Sequence, residues 1–365
     1  MIRTRTWMSA VVVGVGLVGA CASARGTPTT IPSEAPPRII LFIGDGVGLA
    51  YWTAARFAAD ALTIDAFPVV GLVDVQPDSG RIPDSAASAT AYAAGIKTYN
   101  GAIGVGPDSL PVVTVLEVAA ERGMGTGLVA TSRITHATPA SFAAHVPSRQ
   151  MEWEIARQMV AQRPTVVLGG GAGVFDGRLR PDSVDLLGLI AANYAFVETA
   201  EALVAVQLDT VQTLFGLFGT GHMPPAAART PTLAEMTAAA LTVLDKNPRG
   251  FFLMVEASQP DWRGHGNQSL EDVTAEMLDF DRAIGEALAY QGRRSETLIV
   301  VTSDHETGGL ALQYDSTGTL HAAYTTGGHT ATMIPLFAGG PGAELFGGVT
   351  SNDRVGRELL ALVRR

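Results

Sequence analysis

Three apolar runs in this chain each stop at an acid. Ile39-Ile40-Leu41-Phe42-Ile43-Gly44 leads to Asp45, Phe252-Leu253-Met254-Val255 leads to Glu256, and Ile299-Val300-Val301-Thr302-Ser303 leads to Asp304-His305. Uninterrupted apolar runs of this length read as strands buried on both faces, which belong to parallel sheets covered by helices. Further short runs over 126–131, 165–168, 194–197, 214–218 and 333–337 read the same way, and helix-period segments over 49–62, 112–122, 150–162, 232–246, 269–290 and 353–363 separate them. The expected fold is α/β, a three-layer αβα sandwich around a large, mostly parallel sheet. Ligands of such sheets bind just beyond the carboxyl ends of the strands. Three acids converging there would repel one another unless cations neutralised them, so a multi-metal site is expected.

The first residues stand apart from this pattern. Arg3 and Arg5 precede an apolar run over 7–20 broken only by Ser9, which reads as a signal peptide ending by residue 24. Val18-Gly19-Ala20-Cys21 resembles a bacterial lipoprotein box, giving a lipid anchor at Cys21, the chain's single cysteine. Ala22-Ser23-Ala24 offers the alternative, cleavage after Ala24 and a soluble product. Either way the protein is expected to be exported to the periplasm. Residues 25–37, rich in Pro, Thr and Ser, read as a tether, and 38–365 as one catalytic domain. The formal net charge of −10 argues against a nucleic-acid partner, which needs a basic footprint. A negative protein acting on anions needs local positive charge, from metal ions or a few placed arginines.

The chemistry concentrates in few places. Asp84 or Ser85 is a natural cap for a small-residue helix that stops at Gly95, and a serine in a first helical turn sits at the positive end of the helix dipole. Asp261 and His265 stand four apart, on one face if that segment is helical and more openly arranged if Gly264 and Gly266 bend it. His329 supplies another imidazole, in Gly327-Gly328-His329-Thr330. Carboxylate–imidazole mixtures of this kind suit zinc, and two adjacent zincs suit phosphoryl chemistry. Gly169-Gly170-Gly171-Ala172-Gly173 lacks the ending of a P-loop and reads as a tight strand-to-loop turn.

Asp84-Ser85-Ala86-Ala87-Ser88-Ala89-Thr90-Ala91, continuing through Gly95-Ile96-Lys97-Thr98-Tyr99-Asn100-Gly101-Ala102, resembles the nucleophile segment of the alkaline phosphatases, and further matching blocks run from about Ile39 to about His329. The resemblance implies a phosphate monoester hydrolase with two zinc ions and one magnesium. Ser85 would be the nucleophile and Arg149 the phosphate-binding arginine. One zinc would be held by Asp261, His265 and His329, and the other by Asp45, Asp304 and His305. Asp45 would also reach the magnesium, completed by Thr138 and Glu256. The implied mechanism is double displacement through a phosphoserine.

The best-known bacterial pattern has an aspartate and a lysine where this chain has His136 and Trp262. His136 beside the metal ligands and Trp262 packed by the pocket, with Asp84 next to the nucleophile, are the expected supporting residues. His145, His222 and His321 receive no metal role. The stretch between His305 and His329 is too short for a large additional subdomain, so dimer contacts carried by one are not assumed, while a homodimer stays open. A sulfatase is disfavoured because Ser85-Ala86-Ala87-Ser88-Ala89 lacks the setting for formylglycine conversion. A two-metal phosphodiesterase and a non-catalytic metal- or phosphate-binding lipoprotein are the competing readings.

Overall fold

The computed structural model describes residues 37–365. The proposed signal peptide, Cys21 and nearly all of the tether lie outside the described residues.

The strands are β1 (Arg38–Gly44), β2 (Val69–Asp74), β3 (Gly125–Arg133), β4 (Val166–Gly170), β5 (Ala195–Val197), β6 (Leu214–Leu217), β7 (Phe251–Ala257) and β8 (Thr297–Ser303). After them come β9 (Glu306–Thr307), β10 (Ala311–Tyr314), β11 (Leu320–Ala323), β12 (His329–Thr330), β13 (Ile334–Gly339) and β14 (Gly348–Ser351). Ten of them form one sheet in the order β14-β2-β13-β8-β1-β7-β3-β4-β6-β5. It is parallel except at β13, which runs against both β2 and β8. The helices are α1 (Leu49–Ala58), α2 (Ser85–Ala94), α3 (Val115–Glu121), α4 (Ala137–Ala143), α5 (Glu152–Gln162) and α6 (Ala172–Phe175). The later ones are α7 (Leu186–Asn193), α8 (Ala200–Ala205), α9 (Leu233–Leu244), α10 (Gln259–His265), α11 (Leu270–Arg293) and α12 (Asn352–Val363).

The period-2 alternation of β1 shows how the three layers form. Ile39, Leu41 and Ile43 pack on one face with residues of α2, α3 and α12. Ile40 and Phe42 face the other way, into a core shared with α1, α9 and α11. Every residue of β1, β7 and β8 is buried, because neither face of the central sheet meets water. The expected three-layer αβα sandwich is the observed fold.

The differences are local. The helix expected over 49–62 stops at Ala58, and a 3₁₀ turn, Thr63–Ala66, follows. The chain is drawn there onto α11, where Asp281 accepts from the backbone N–H of Thr63 at 2.9 Å. The helix expected over 112–122 begins at Val115 because Thr114 and Glu117 form a reciprocal capping box. β2 and β14, absent from the sequence reading, lie at the sheet's margin and are partly exposed; β14 is short and polar in half its length, and β2, though apolar from Val69 to Val73, is not buried on both faces as the central strands are.

One close approach fixes α2. A Cβ on Gly356 of α12 would lie 2.2 Å from the carbonyl oxygen of Ala91, so α12 touches α2 backbone to backbone. The Asn352 side-chain amide donates to Ser88 at 3.1 Å in the same interface. Small residues along α2 permit this contact, and all ten residues of the helix are buried.

Candidate active site

β1, β7 and β8 are neighbours in register, with Ile43 beside Glu256 on one side and Thr302 on the other. The three strand-end acids therefore meet at one edge of the sheet. Asp45, Glu256 and Asp304 are all fully buried. Burial raises the pKa of the Asp45 carboxyl well above its ordinary value, and the neighbouring Asp304, Asp261 and Glu256 add to the rise. Burial likewise raises Glu256 and Asp304. Both oxygens of Asp45, Oδ2 of Asp304, Oε1 of Glu256, Oγ1 of Thr138 and Nδ1 of His136 are buried without a hydrogen-bond partner. Buried polar atoms are ordinarily paired. Unpaired acceptors converging in one place fit cations.

The imidazoles are oriented for the same purpose. His329 Nδ1 faces the carbonyl oxygen of Pro83 at 2.8 Å, and His265 Nδ1 faces that of Gly327 at 2.7 Å. A carbonyl only accepts, so both Nδ1 atoms carry the proton and both Nε2 atoms present lone pairs. The two Nε2 atoms stand 3.1 Å apart, with Asp261 Oδ1 at 3.4 Å from His265 and 3.6 Å from His329. A second group joins Asp45, Asp304 and His305: His305 Nε2 is 3.5 Å from Asp45 Oδ1 and 3.3 Å from Asp304 Oδ2. Burial, with a smaller push from His329, lowers the His305 pKa to about 3, so its lone pair is free at working pH. The rings of His305 and His329 stack at 3.6 Å between centroids, so the two groups are contiguous. The donor sets match what zinc takes in paired sites.

α10 settles the alternatives at Asp261 and His265. The segment is helical, and both residues lie on it one turn apart. Arg263 anchors the helix by donating to Gln259 at 3.0 Å and to the buried Glu276 of α11 at 3.2 Å. The His265 side chain is 41% exposed whereas His305 is fully buried, so the site opens to solvent on the His265 side.

Ser85 is the first residue of α2, capped by Asp84, whose side chain accepts from the backbone N–H of Ala87 at 2.9 Å. Gly95 ends the helix in the left-handed conformation, φ 71°. Ser85 Oγ lies 3.4 Å from His305 Nε2. Arg149 donates to Asp84 Oδ2 at 3.0 Å and lies 3.1 Å from His136 Nε2. His136 is one of three residues, with Asp45 and Glu256, whose ligand atoms all lie within 4.8 Å of one another. Burial and the nearby Arg149 hold its pKa well below the usual value, so it is a neutral imidazole. Trp262 is half-buried and packs edge-on against His222, 4.6 Å between centroids, and against His136 at 6.3 Å.

Several supporting residues were not singled out in the sequence, and His222, which the sequence left with a surface or hydrogen-bonding role, stands beside them. Thr307 donates its hydroxyl proton to Asp261, and its oxygen stands 3.2 Å from His305 Nδ1, so one side chain orients ligands of both groups. Ser258 and Ser132 donate to Glu256 Oε2 at 2.6 and 3.3 Å and aim its other oxygen at the cluster. His222 accepts the Arg133 backbone N–H at 3.0 Å, and burial lowers its pKa to about 4. Thr307 had a findable signal, lying two residues after His305 on the same face of an extended chain. Ser258 stands in the same relation to Glu256, whereas Ser132 had none.

A family model described as alkaline phosphatase matches residues 37–326. Alkaline phosphatase 3 of Bacillus subtilis (strain 168) is 34% identical over 88% of this chain and 87% of its own. Streptomycin-6-phosphate phosphatase of Streptomyces griseus is 34% identical over 95% of each chain. The solved structure of alkaline phosphatase from the Antarctic bacterium TAB5 is 37% identical and superposes with a TM-score of 0.84, over 91% of this chain and 99% of that one. A variant of the TAB5 enzyme with aspartate in place of a histidine is described with Mg bound.

Proposed function

The chain belongs to the alkaline phosphatase family and is a metal-dependent phosphatase; from that premise we propose that it hydrolyses phosphate monoesters by double displacement through a phosphoserine on Ser85. The observation that carries the reading is the placement of Ser85 Oγ at a helix N-terminus, 3.4 Å from His305 Nε2 of the carboxylate–imidazole cluster, with Arg149 held by the adjacent Asp84. Ser85 Oγ attacks phosphorus and the ester P–O bond breaks, releasing the alcohol. Water then attacks phosphorus from the side opposite Ser85, and the P–Oγ bond breaks to free phosphate. The planar guanidinium of Arg149 takes two phosphate oxygens, and the N-terminus of α2 adds its dipole where charge gathers in the transition state. Asp84 holds Arg149 in that pose and caps the helix.

Two zinc ions would be held by Asp261, His265 and His329 and by Asp45, Asp304 and His305, and when bound they supply the Lewis acidity that lowers the serine and water pKa values and neutralises the leaving oxygen. Asp45, Glu256 and Thr138 would hold a magnesium, with His136 alongside. The oxygen-rich part of that set fits a hard cation, whereas the imidazole fits it poorly. His136→Asp is therefore expected to raise the magnesium retained per chain after gel filtration, measured by elemental analysis. Unchanged magnesium content would remove His136 from that site. The Mg-bound aspartate variant of the TAB5 enzyme supports this reading.

Hydrolysis of p-nitrophenyl phosphate compared with its bis-ester at alkaline pH, with zinc and magnesium or with chelator, tests the substrate class. Chelator-sensitive monoester cleavage exceeding diester cleavage is expected. Preference for the diester would make the protein a phosphodiesterase, and inactivity on both with metal bound would leave a binding protein. Arg149→Ala is expected to lower monoester kcat/KM roughly a hundredfold to a thousandfold, as loss of a transition-state donor does. The diester, with one fewer free oxygen to hold, is expected to lose less; equal losses would contradict the assigned role. Export to the periplasm and a lipid anchor at Cys21 belong to the same proposal, supported by the apolar run over 7–20 and the Val18–Cys21 pattern. A mature N-terminus beyond residue 21 would remove the anchor.

A further inference from the structure

His145, left without a role above, sits in a setting that a neutral imidazole does not satisfy. Its Nδ1 lies 2.6 Å from the carbonyl oxygen of Gly104, and its Nε2 lies 2.8 Å from Glu117 Oε1. Both partners are acceptors. A neutral ring has one N–H and would set a lone pair against one of them, whereas the imidazolium donates to both. Glu117 cannot swing away, because its Oε2 accepts the Thr114 backbone N–H at 2.8 Å in the capping box of α3.

The two contacts close one end of a zipped pair of segments. Ile103 and Val146 exchange backbone hydrogen bonds at 3.1 and 2.9 Å. Tyr99 donates to the Pro147 carbonyl at 3.2 Å. At the far end the Arg149 backbone N–H donates to Gly101 O at 2.8 Å. Gly101 N–H and the Arg149 guanidinium both donate to Asp84 Oδ2, each at 3.0 Å. The stretch 99–104 continues directly from the nucleophile helix, so the turn carrying Arg149 hangs on that helix's own extension.

We propose that His145 is a positioning residue for Arg149: the imidazolium staples the Arg149 turn to α3 and the 99–104 loop, and loss of its proton loosens the grip on phosphate. This rests on Arg149 binding the phosphate of substrate and product. Among the described residues, Glu117 of α3 is the charged group in contact with the ring. The 99–104 loop presents a carbonyl. From α5, Gln158 accepts the His145 backbone N–H at 2.7 Å, and Glu154 stands behind that amide, paired with Arg157. The hydrogen bond to Glu117 raises the His145 pKa, against an opposing effect of burial. The staple is thus complete at the ordinary histidine value and is released as pH rises through the raised one.

The test uses the metal-loaded full chain and inorganic phosphate as competitive inhibitor, from pH 6 to 10. In the wild type the inhibition constant is expected to carry a step, weakening about three- to tenfold as one charged hydrogen bond is lost. In His145→Gln that step is absent and the constant already has its weak value near neutrality. In Glu117→Gln the step moves to lower pH, which a purely structural contact would not produce. Nitrogen-15 shifts of His145 in the wild type report the doubly protonated ring directly and need no variant. A ring already neutral at pH 6, or parallel phosphate profiles for wild type and His145→Gln, would overturn the proposal. Both readouts report binding and protonation rather than the covalent step, so they stay readable if the phosphoserine pathway fails.

Discussion

Ser85→Ala is expected to remove nearly all monoester hydrolysis while leaving the fold and the metal content intact. Ser85 occupies the first helical position of α2, but the side chain that caps the helix is that of Asp84. Removing one hydroxyl therefore costs no cap. What the hydroxyl gives up is its 3.4 Å approach to His305 Nε2. The remaining metal-site donors still accelerate attack by water, so activity falls by roughly ten-thousandfold or more rather than to nothing. The melting temperature and zinc content of the variant should match the wild type. A variant that loses its metals along with its activity would show that Ser85 builds the site instead of reacting in it.

Metal removal is expected to have the second large effect, on stability as well as on rate. Without cations, the fold buries Asp45, Asp304 and Glu256 together, and their pKa values are raised, chiefly by burial. The folded state then binds more protons than the unfolded chain, so the stability of the metal-free protein falls as pH rises from ordinary carboxyl values through the raised ones. Metal ions replace those protons and reverse the penalty. His305, lowered to about 3, is already deprotonated and does not oppose them. A site saturated a thousandfold above its Kd contributes about 4 kcal/mol. Two or three such sites should move the melting temperature by on the order of ten degrees or more. Calorimetry with and without chelator between pH 5 and 9 should show a gap that widens toward alkaline pH. A gap that closes with rising pH would contradict the assignment of these carboxylates to metals.

The parts of this architecture that are legible in sequence are those fixed by burial on two sides or by a contiguous segment. The runs ending at Asp45, Glu256 and Asp304 are solid apolar strands, and their convergence follows from the general behaviour of parallel sheets. The segment of α2 is contiguous; of the two caps the sequence offered the structure uses Asp84, and the stop stands at Gly95 as read. β2 escaped because its burial alternates irregularly near the margin of the sheet, and β14 because it is short and partly exposed. Ser132 and the Asp261 contact of Thr307 escaped for another reason. Each joins residues brought near by strand register or helix docking, such as Ser132 of β3 and Glu256 of β7. Single-chain patterns of spacing do not carry that information.

The most direct test of the account is to trap the covalent intermediate. The metal-loaded protein would be mixed with a phosphorus-labelled monoester, quenched in acid and digested, and the label located by mass spectrometry. Label on Ser85, absent from Ser85→Ala and competed away by inorganic phosphate, is the predicted result. Turnover near the wild-type rate in Ser85→Ala, or label found on another residue, would contradict the account.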